Sequence, residues 1–319
     1  MGSFLLRPAL LFALAVVVAG CSGGGDGGGS GDGMTVTATT THVADLVRNV
    51  GGDRVEVRSL LSPGSDPHQY DVRPSDVRAI AESEVVLRSG GEVDGWLGEV
   101  VQSAGGDARV VDLIDAVQTL PGEAHDGGAS GGHAGDVDPH WWQDPRNAQA
   151  AVRRIRDVLI ESDPQGAAVY RRNAADYVES LRELDDAVAA CWARVPEERR
   201  KLVTTHDALG YYASRYDIEV IGTVIPSLST QAQASAGRVD SLVDTIRREG
   251  VRTIFTERSV NPRVEAAIAR EAGAEVGRPL WVDALGPEGS DGATYIDSIE
   301  SNTQAMVEGL SGRGCSSPE

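Results

Sequence analysis

The sequence has almost no lysine. Lys201 stands alone against 28 arginines, and these 29 cations face 48 Asp and Glu, for a formal net charge of −19. No basic run exists that could hold a phosphate backbone, so a nucleic-acid partner is excluded. Cysteine is scarce too, at three residues in 319, which rules out a small scaffold built on disulfides. The chain lacks repeated apolar runs of about 20 residues, so a multi-span membrane protein is also excluded. What is present, 41% hydrophobic and 24% charged residues, is an ordinary globular composition. At about 150 residues per domain, the length suggests two domains.

Residues 1–20 read as a secretory signal, with Arg7 as the positive end and an apolar run from Leu10 to Ala19 that is short for a bilayer span. Val18-Ala19-Gly20-Cys21 resembles the bacterial lipobox, in which the cysteine becomes the first mature residue and carries lipid on its sulfur. Residues 21–33 are then the lipidated Cys21 and a tether with eight glycines in twelve residues, whose reach is on the order of 20 Å. The expectation is an exported globe, extracytoplasmic and anchored to the cell membrane by acyl chains. Losing Arg7 with the signal takes the charge from −19 to −20, a weak, salt-screened bias toward cations. Cys191 and Cys315 lie in the exported part, where an oxidising compartment permits a disulfide between them. Two unpaired thiols fit the sequence equally well.

From residue 34 onward, short apolar strands alternate with helical periodicities, the pattern of parallel sheets covered by helices. Strands are expected at 35–39, 54–61, 84–88 and 108–113, and past Pro196 at 201–205, 218–223, 251–256 and 275–281. Between the two series, residues 121–137 are Gly-rich and acidic, a surface loop holding His125 and His133. Asp144-Pro145 and Asp163-Pro164 each open a helix, as an N-cap followed by proline. The second helical segment has no Pro or Gly between Ala167 and Val195, well beyond the usual length of about 11–12 residues. The fold class expected is α/β: two parallel-sheet lobes, 34–160 and 196–319, joined by a long rigid helix within 161–195.

Four residues are placed at strand ends or in the loops just beyond, where such folds bind ligands. His68 and His140 each follow Asp-Pro, which presents the imidazole from a stiff loop. His206 follows the strand Leu202-Val203-Thr204-Thr205, and Asp283 follows Leu280-Trp281-Val282. Imidazoles and a carboxylate converging in the interlobe cleft suit a borderline divalent transition metal. Taken singly, each is also an ordinary loop residue or turn former.

The stretches Gly64-Ser65-Asp66-Pro67-His68, Asp138-Pro139-His140-Trp141-Trp142-Gln143-Asp144-Pro145, Thr204-Thr205-His206-Asp207-Ala208 and Asp283-Ala284-Leu285-Gly286 resemble those of the zinc/manganese solute-binding proteins of bacterial ABC importers. The resemblance runs in order over nearly all of residues 35–310. It implies one metal between two lobes, held here by His68, His140, His206 and Asp283. It also implies as partners a membrane permease with its cytoplasmic ATPase. The chain is expected to be a monomer. A histidine in third place resembles zinc-type members, where manganese-type members commonly have Glu, and three imidazoles suit zinc better than an oxygen-rich site would. Zinc is therefore the expected cargo, with manganese the alternative. The loop with His125 and His133 resembles the His-rich loop of zinc-type members; it is either an accessory metal-capturing loop or a plain flexible one. His42 is expected at the start of a helix near the cleft. Thr230-Gln231-Ala232-Gln233-Ala234-Ser235-Ala236 departs from the Thr-Glu-Ala-Glu-Pro-Ser-Ala of many members, losing two carboxylates and a proline.

A site closed by four protein ligands leaves no position for a reacting water, so binding rather than catalysis is expected. A secreted zinc-dependent hydrolase would need a general base, and neither an H-E-x-x-H helix nor an adjacent carboxylate stands out. An organic solute would call for an aromatic pocket, and only Trp141, Trp142 and Trp281 lie near the expected cleft. An additional role as adhesin or scaffold stays open. Release is expected from relative lobe movement. Affinity should fall on acidification, as protons compete for imidazoles whose free pKa is about 6.5.

Overall fold

The first strand, β1 (Met34–Ala38), is buried along almost its whole length because it is central. In the computed structural model it lies between β2 (Val55–Ser59) and β3 (Val85–Arg88), with β4 (Arg109–Asp112) beyond β3. Every pairing is parallel, so each connection crosses over the sheet. α1 (Thr41–Gly51), α2 (Pro74–Ala81) and α3 (Leu97–Ala104) make the crossovers. The structure describes Met1 and residues 33–105, 107–122 and 137–315. Cys21 with the expected signal, the tether up to residue 32, and His125 and His133 lie outside the described residues.

The two Asp-Pro signals do what the sequence suggests. The Asp144 carboxylate accepts from Arg146 N–H and opens α4 (Pro145–Ser162). The Asp163 carboxylate accepts from Gln165 and Gly166, and α5 (Ala167–Trp192) follows, 26 residues long. Tyr170, Tyr177, Leu181, Leu184 and Val188 form its buried stripe, as the helical spacing predicts.

The C-terminal half repeats the alternation with β5 (Lys201–His206), α6 (Gly210–Tyr216), β6 (Glu219–Ile225), α7 (Ala236–Glu249), β7 (Thr253–Ile254), α8 (Arg263–Ala272), β8 (Glu275–Val276) and α9 (Tyr295–Ser311). β5 pairs with β6 and β7 with β8, all parallel. A hydrogen bond from Phe255 N–H to the Val203 carbonyl joins the two pairs. β7 and β8 are shorter than the 251–256 and 275–281 expected. Past Val276 the pairing thins to single backbone bonds, Gly277 N–H to the Ile254 carbonyl and a parallel bridge between Glu257 and Leu280. From Trp281 on it goes to side chains: Trp281 N–H donates to Asn302 Oδ1, and the Val282 carbonyl accepts from Trp142 and Gln143. Apolar residues there are buried by tertiary packing rather than by strand pairing.

α5 ties both halves together and packs on α4, α1 and α9. Asp185 on α5 accepts from Arg215 and Tyr216 of α6 and from Arg146 of α4. Asp45 on α1 accepts from the Tyr177 hydroxyl of α5 and from Tyr295 N–H of α9. Cys191, at the end of α5, is joined by a disulfide to Cys315, just after α9. All these elements belong to one unit that begins at Gly33. No helix among the described residues is long and apolar enough to cross a membrane.

Candidate metal centre

The Asp-Pro-His motifs act identically at their first step. Asp66 Oδ1 accepts from His68 N–H at 2.9 Å, and Asp138 Oδ1 accepts from His140 N–H at 2.9 Å. Each carboxylate closes a turn two residues long, with the proline holding φ between them. Behind His140, the turn Ser89–Gly91 needs glycine: Gly90 and Gly91 have φ of +93° and +71°. A Cβ on Gly91 would sit 3.0 Å from Pro139 Cβ, so the His140 loop can approach β3 only because that side chain is missing. The indole of Trp141 donates to the Ser89 carbonyl and fixes the same loop from the other end. His206 closes β5 as its last residue. Asp283 follows the irregular segment anchored by Trp142, Gln143 and Asn302, seven residues past the end of β8 rather than directly after a strand.

These placements bring His68, His140, His206 and Asp283 together, with one donor atom from each within 4.8 Å of the others. His140 Nε2 lies 3.4 Å from His68 Nε2 and 3.3 Å from His206 Nε2. The nearest Asp283 oxygens lie 3.6, 3.7 and 3.4 Å from the Nε2 atoms of His68, His140 and His206. A tetrahedron with bonds of about 2.0–2.1 Å has edges of about 3.3–3.4 Å, so these five separations, 3.3–3.7 Å, are close to those of donors around one transition-metal ion. All four residues are buried, and His68 at 8% exposure is the least so.

Two further carboxylates, which sequence reasoning missed as partners, orient the rings. Asp138 Oδ1 is 2.7 Å from His140 Nδ1, and Glu257 Oε1 is 2.6 Å from His206 Nδ1. Each holds the Nδ1 proton and turns the Nε2 lone pair inward, the arrangement that carboxylates impose on metal-ligating histidines. For Asp138 the repeated Asp-Pro-His was an available signal. For Glu257, three residues past β7, no local pattern exists.

The electrostatics are unbalanced in the absence of a cation. Burial, then the neighbouring imidazoles, hold His68 down to about 3, and burial likewise holds His140 well below the usual range. Burial also opposes charge on His206, but the carboxylates of Glu257 and Asp283 outweigh it and raise that imidazole to about 10. Burial raises Asp283 to about 8 and Asp138 to about 7. Neither Asp283 oxygen accepts a hydrogen bond from a described residue. A fully buried carboxylate with both oxygens unsatisfied is costly, and a cation placed among four inward donors removes the cost.

His42 is brought near but not in. It lies in the first turn of α1, its ring stacked on Trp142 at 5.1 Å between centroids. Burial, then His140, lower it to about 3. It therefore packs as a neutral aromatic ring and is not one of the four clustered residues.

Known proteins resemble this chain along most of its length. The family model for "Zinc-uptake complex component A periplasmic" matches residues 36–309. The chain is 31% identical over 303 residues to the manganese-binding lipoprotein MntA of Halalkalibacterium halodurans, covering 95% of this chain and 97% of the relative. It is 32% identical over 313 residues to the manganese-binding lipoprotein MntA of Bacillus subtilis, covering 96% and 98%. Among solved structures, the periplasmic zinc binding protein TroA from Treponema pallidum superposes with a TM-score of 0.80 at 27% identity, over 87% of this chain and 99% of that one.

Proposed function

This chain belongs to the zinc-uptake complex component A family, and on that premise we propose that it captures one divalent transition metal outside the cytoplasm and delivers it to an ABC permease driven by a cytoplasmic ATPase. Members of this family are solute-binding proteins of ABC transporters and not enzymes. The observation that carries the reading is Asp283, buried with two unsatisfied oxygens and faced by three imidazole nitrogens. Cys21 serves as the lipid anchor, in keeping with relatives named as lipoproteins. Residues 34–160 and 196–319 act as lobes about the spine helix, and delivery follows when docking separates His68 and His140 from His206 and Asp283.

Zinc is the cargo favoured by the donors, three nitrogens and one carboxylate at tetrahedral spacing. Manganese is the second reading, and one observation supports it. Asp283 turns Oδ2 toward His68 and His206 and Oδ1 toward His140, so the carboxylate can bind through both oxygens and raise the coordination number for a harder ion. Competitive titration of metal-free chain with zinc and manganese, with coordination number from X-ray absorption, decides between them. Four-coordinate zinc that manganese cannot displace supports the first; five or more ligands with preferential manganese retention supports the second. A chain that binds neither ion would refute the site.

Proton competition should centre on one imidazole, not three. His68 and His140 are already neutral through the physiological range, whereas His206 carries a proton up to about pH 10. A metal must displace that proton and, below about pH 8, the proton that burial keeps on Asp283, so affinity rises with pH across the neutral range by about tenfold to hundredfold per unit. Calorimetric zinc titrations in buffers of different ionisation enthalpy should show about two protons released per ion near pH 7, one from His206 and one from Asp283. Zero release would exclude a protonated His206. Glu257→Gln should weaken binding by about tenfold, since a neutral amide supports His206 less well as a donor. It should also flatten the pH dependence, because the larger of the two neighbouring charges that raise His206 is gone and Asp283 is left. A Glu257→Gln chain that keeps native affinity and the native pH slope would remove Glu257 from the site.

A further inference from the structure

The two halves of the chain meet around the metal centre along two unlike seams. In one, Trp142 and Gln143 donate to the Val282 carbonyl at 2.9 and 2.8 Å, and the Tyr295 hydroxyl donates to the Trp142 carbonyl at 2.6 Å. All four residues are buried, so this seam is dry and lies against the core. In the other, the turn around Ser229–Gln231 meets the His68 loop through side chains. Thr230 Oγ1 donates to Asp66 Oδ2 at 2.6 Å, Gln69 Nε2 donates to Thr230 Oγ1 at 3.3 Å, and the Gln231 amide donates to the His68 carbonyl. Gln69 and Gln231 are exposed, and His68 is the ligand residue nearest to solvent.

We propose that Thr230 and Gln231 form a latch that sets how long the bound metal is retained. The inference rests on the metal-site reading above and assigns roles to two residues outside the four donors. The dry seam cannot part without exposing Trp142 and Tyr295 and unpairing their hydrogen bonds, whereas the other parts by exchanging for water three side-chain bonds and the bond from the exposed Gly64 N–H to the Leu285 carbonyl. Opening therefore begins at the His68 loop. Thr230 holds that loop by a charge-assisted bond to Asp66, the strongest type available to a hydroxyl. Gln231 must be an amide, because only its N–H₂ can donate to a carbonyl. A carboxylate there would face the His68 carbonyl oxygen and add a like charge beside Asp66. Neither residue supplies a donor atom to the metal, so their loss should change the rate of release and leave one ion per chain.

The test loads the full chain with zinc and follows its release into excess chelator by stopped flow. Thr230→Val and Gln231→Glu should each release zinc roughly tenfold faster than the native chain, the change expected from losing one hydrogen bond to a charged or buried partner. Thr230→Ser, which keeps the hydroxyl, should retain the native rate. If Thr230→Val and Gln231→Glu both release metal within about twofold of the native rate, the latch is overturned while the metal site stands. A native chain that holds no stoichiometric zinc or manganese overturns the site reading itself, and the latch with it.

Discussion

Replacing His68 by alanine is expected to weaken metal binding by about two orders of magnitude and leave the metal-free chain folded. Structural zinc sites contribute about 10–16 kcal/mol, so one of four donors accounts for roughly 3 kcal/mol, or rather more than hundredfold in affinity. His68 is the donor best suited to this measurement. No described carboxylate is hydrogen-bonded to its second ring nitrogen, so its removal strands no buried charge. His206→Ala should lose at least as much affinity and also destabilise the metal-free chain. Glu257, 3% exposed, loses the 2.6 Å partner of its Oε1 and keeps there only the backbone N–H of residue 206, while its Oε2 has no hydrogen-bond partner among the described residues. Breaking a buried pair on one side costs about 3–5 kcal/mol. Isothermal titration with zinc gives the affinities, and thermal unfolding of the metal-free variants gives the stabilities. Native affinity in His68→Ala would remove that residue from the site. Equal unfolding temperatures for His206→Ala and the native chain would deny Glu257 its dependence on the imidazole.

The second large effect concerns stability alone. Cys191→Ser or Cys315→Ser is expected to cost about 4 kcal/mol, because the bridge closes a loop of 124 residues in the unfolded chain and long loops carry the largest closure entropy. For a chain of this size that corresponds to a fall in unfolding temperature of roughly 10 °C. Neither cysteine touches the four donors, so zinc affinity should stay native in both variants. Part of the tail remains held without the bridge, since Arg194 donates to the Cys315 carbonyl and Cys315 N–H donates to Gln304. The loss should therefore appear mainly through the unfolded state, and reductant should reproduce it in the native chain. Unfolding temperatures that ignore both the substitution and reductant would mean that the bridge bears no load.

Some elements were legible from local chemistry alone. α7 ends where local chemistry stops it, at Gly250 in the left-handed region with φ of +68°. α4 and the spine α5 were announced by Asp-Pro signals and by the lack of internal Pro and Gly. β7 and β8 were overestimated because Trp281 and Val282 are apolar and buried without being laddered, and Leu280 is paired only through an isolated bridge to Glu257. An apolar run records burial, and burial by a sheet cannot be told locally from burial by an indole or a helix. Among the donors, His68, His140 and His206 stood at stiff turns or a strand end, whereas Asp283 followed a segment whose shape depends on Trp142 and Asn302.

The sequence by itself determined which residue types are available to a metal, the order of helices and strands that carries them, and the stiff Asp-Pro settings of His68 and His140. These follow from φ restriction, capping and hydrophobic period, which act over a few residues. Only the tertiary structure decided that four donors separated along the chain converge at 3.3–3.7 Å, and that Asp138 and Glu257 aim two of the rings. It also decided that the protons to be displaced sit on His206 and Asp283 rather than being shared among three imidazoles, and that Thr230 and Gln231 reach the His68 loop. Convergence, desolvation and the sign of a pKa shift depend on which groups packing brings within a few ångströms of one another, and spacing along the chain carries no record of that.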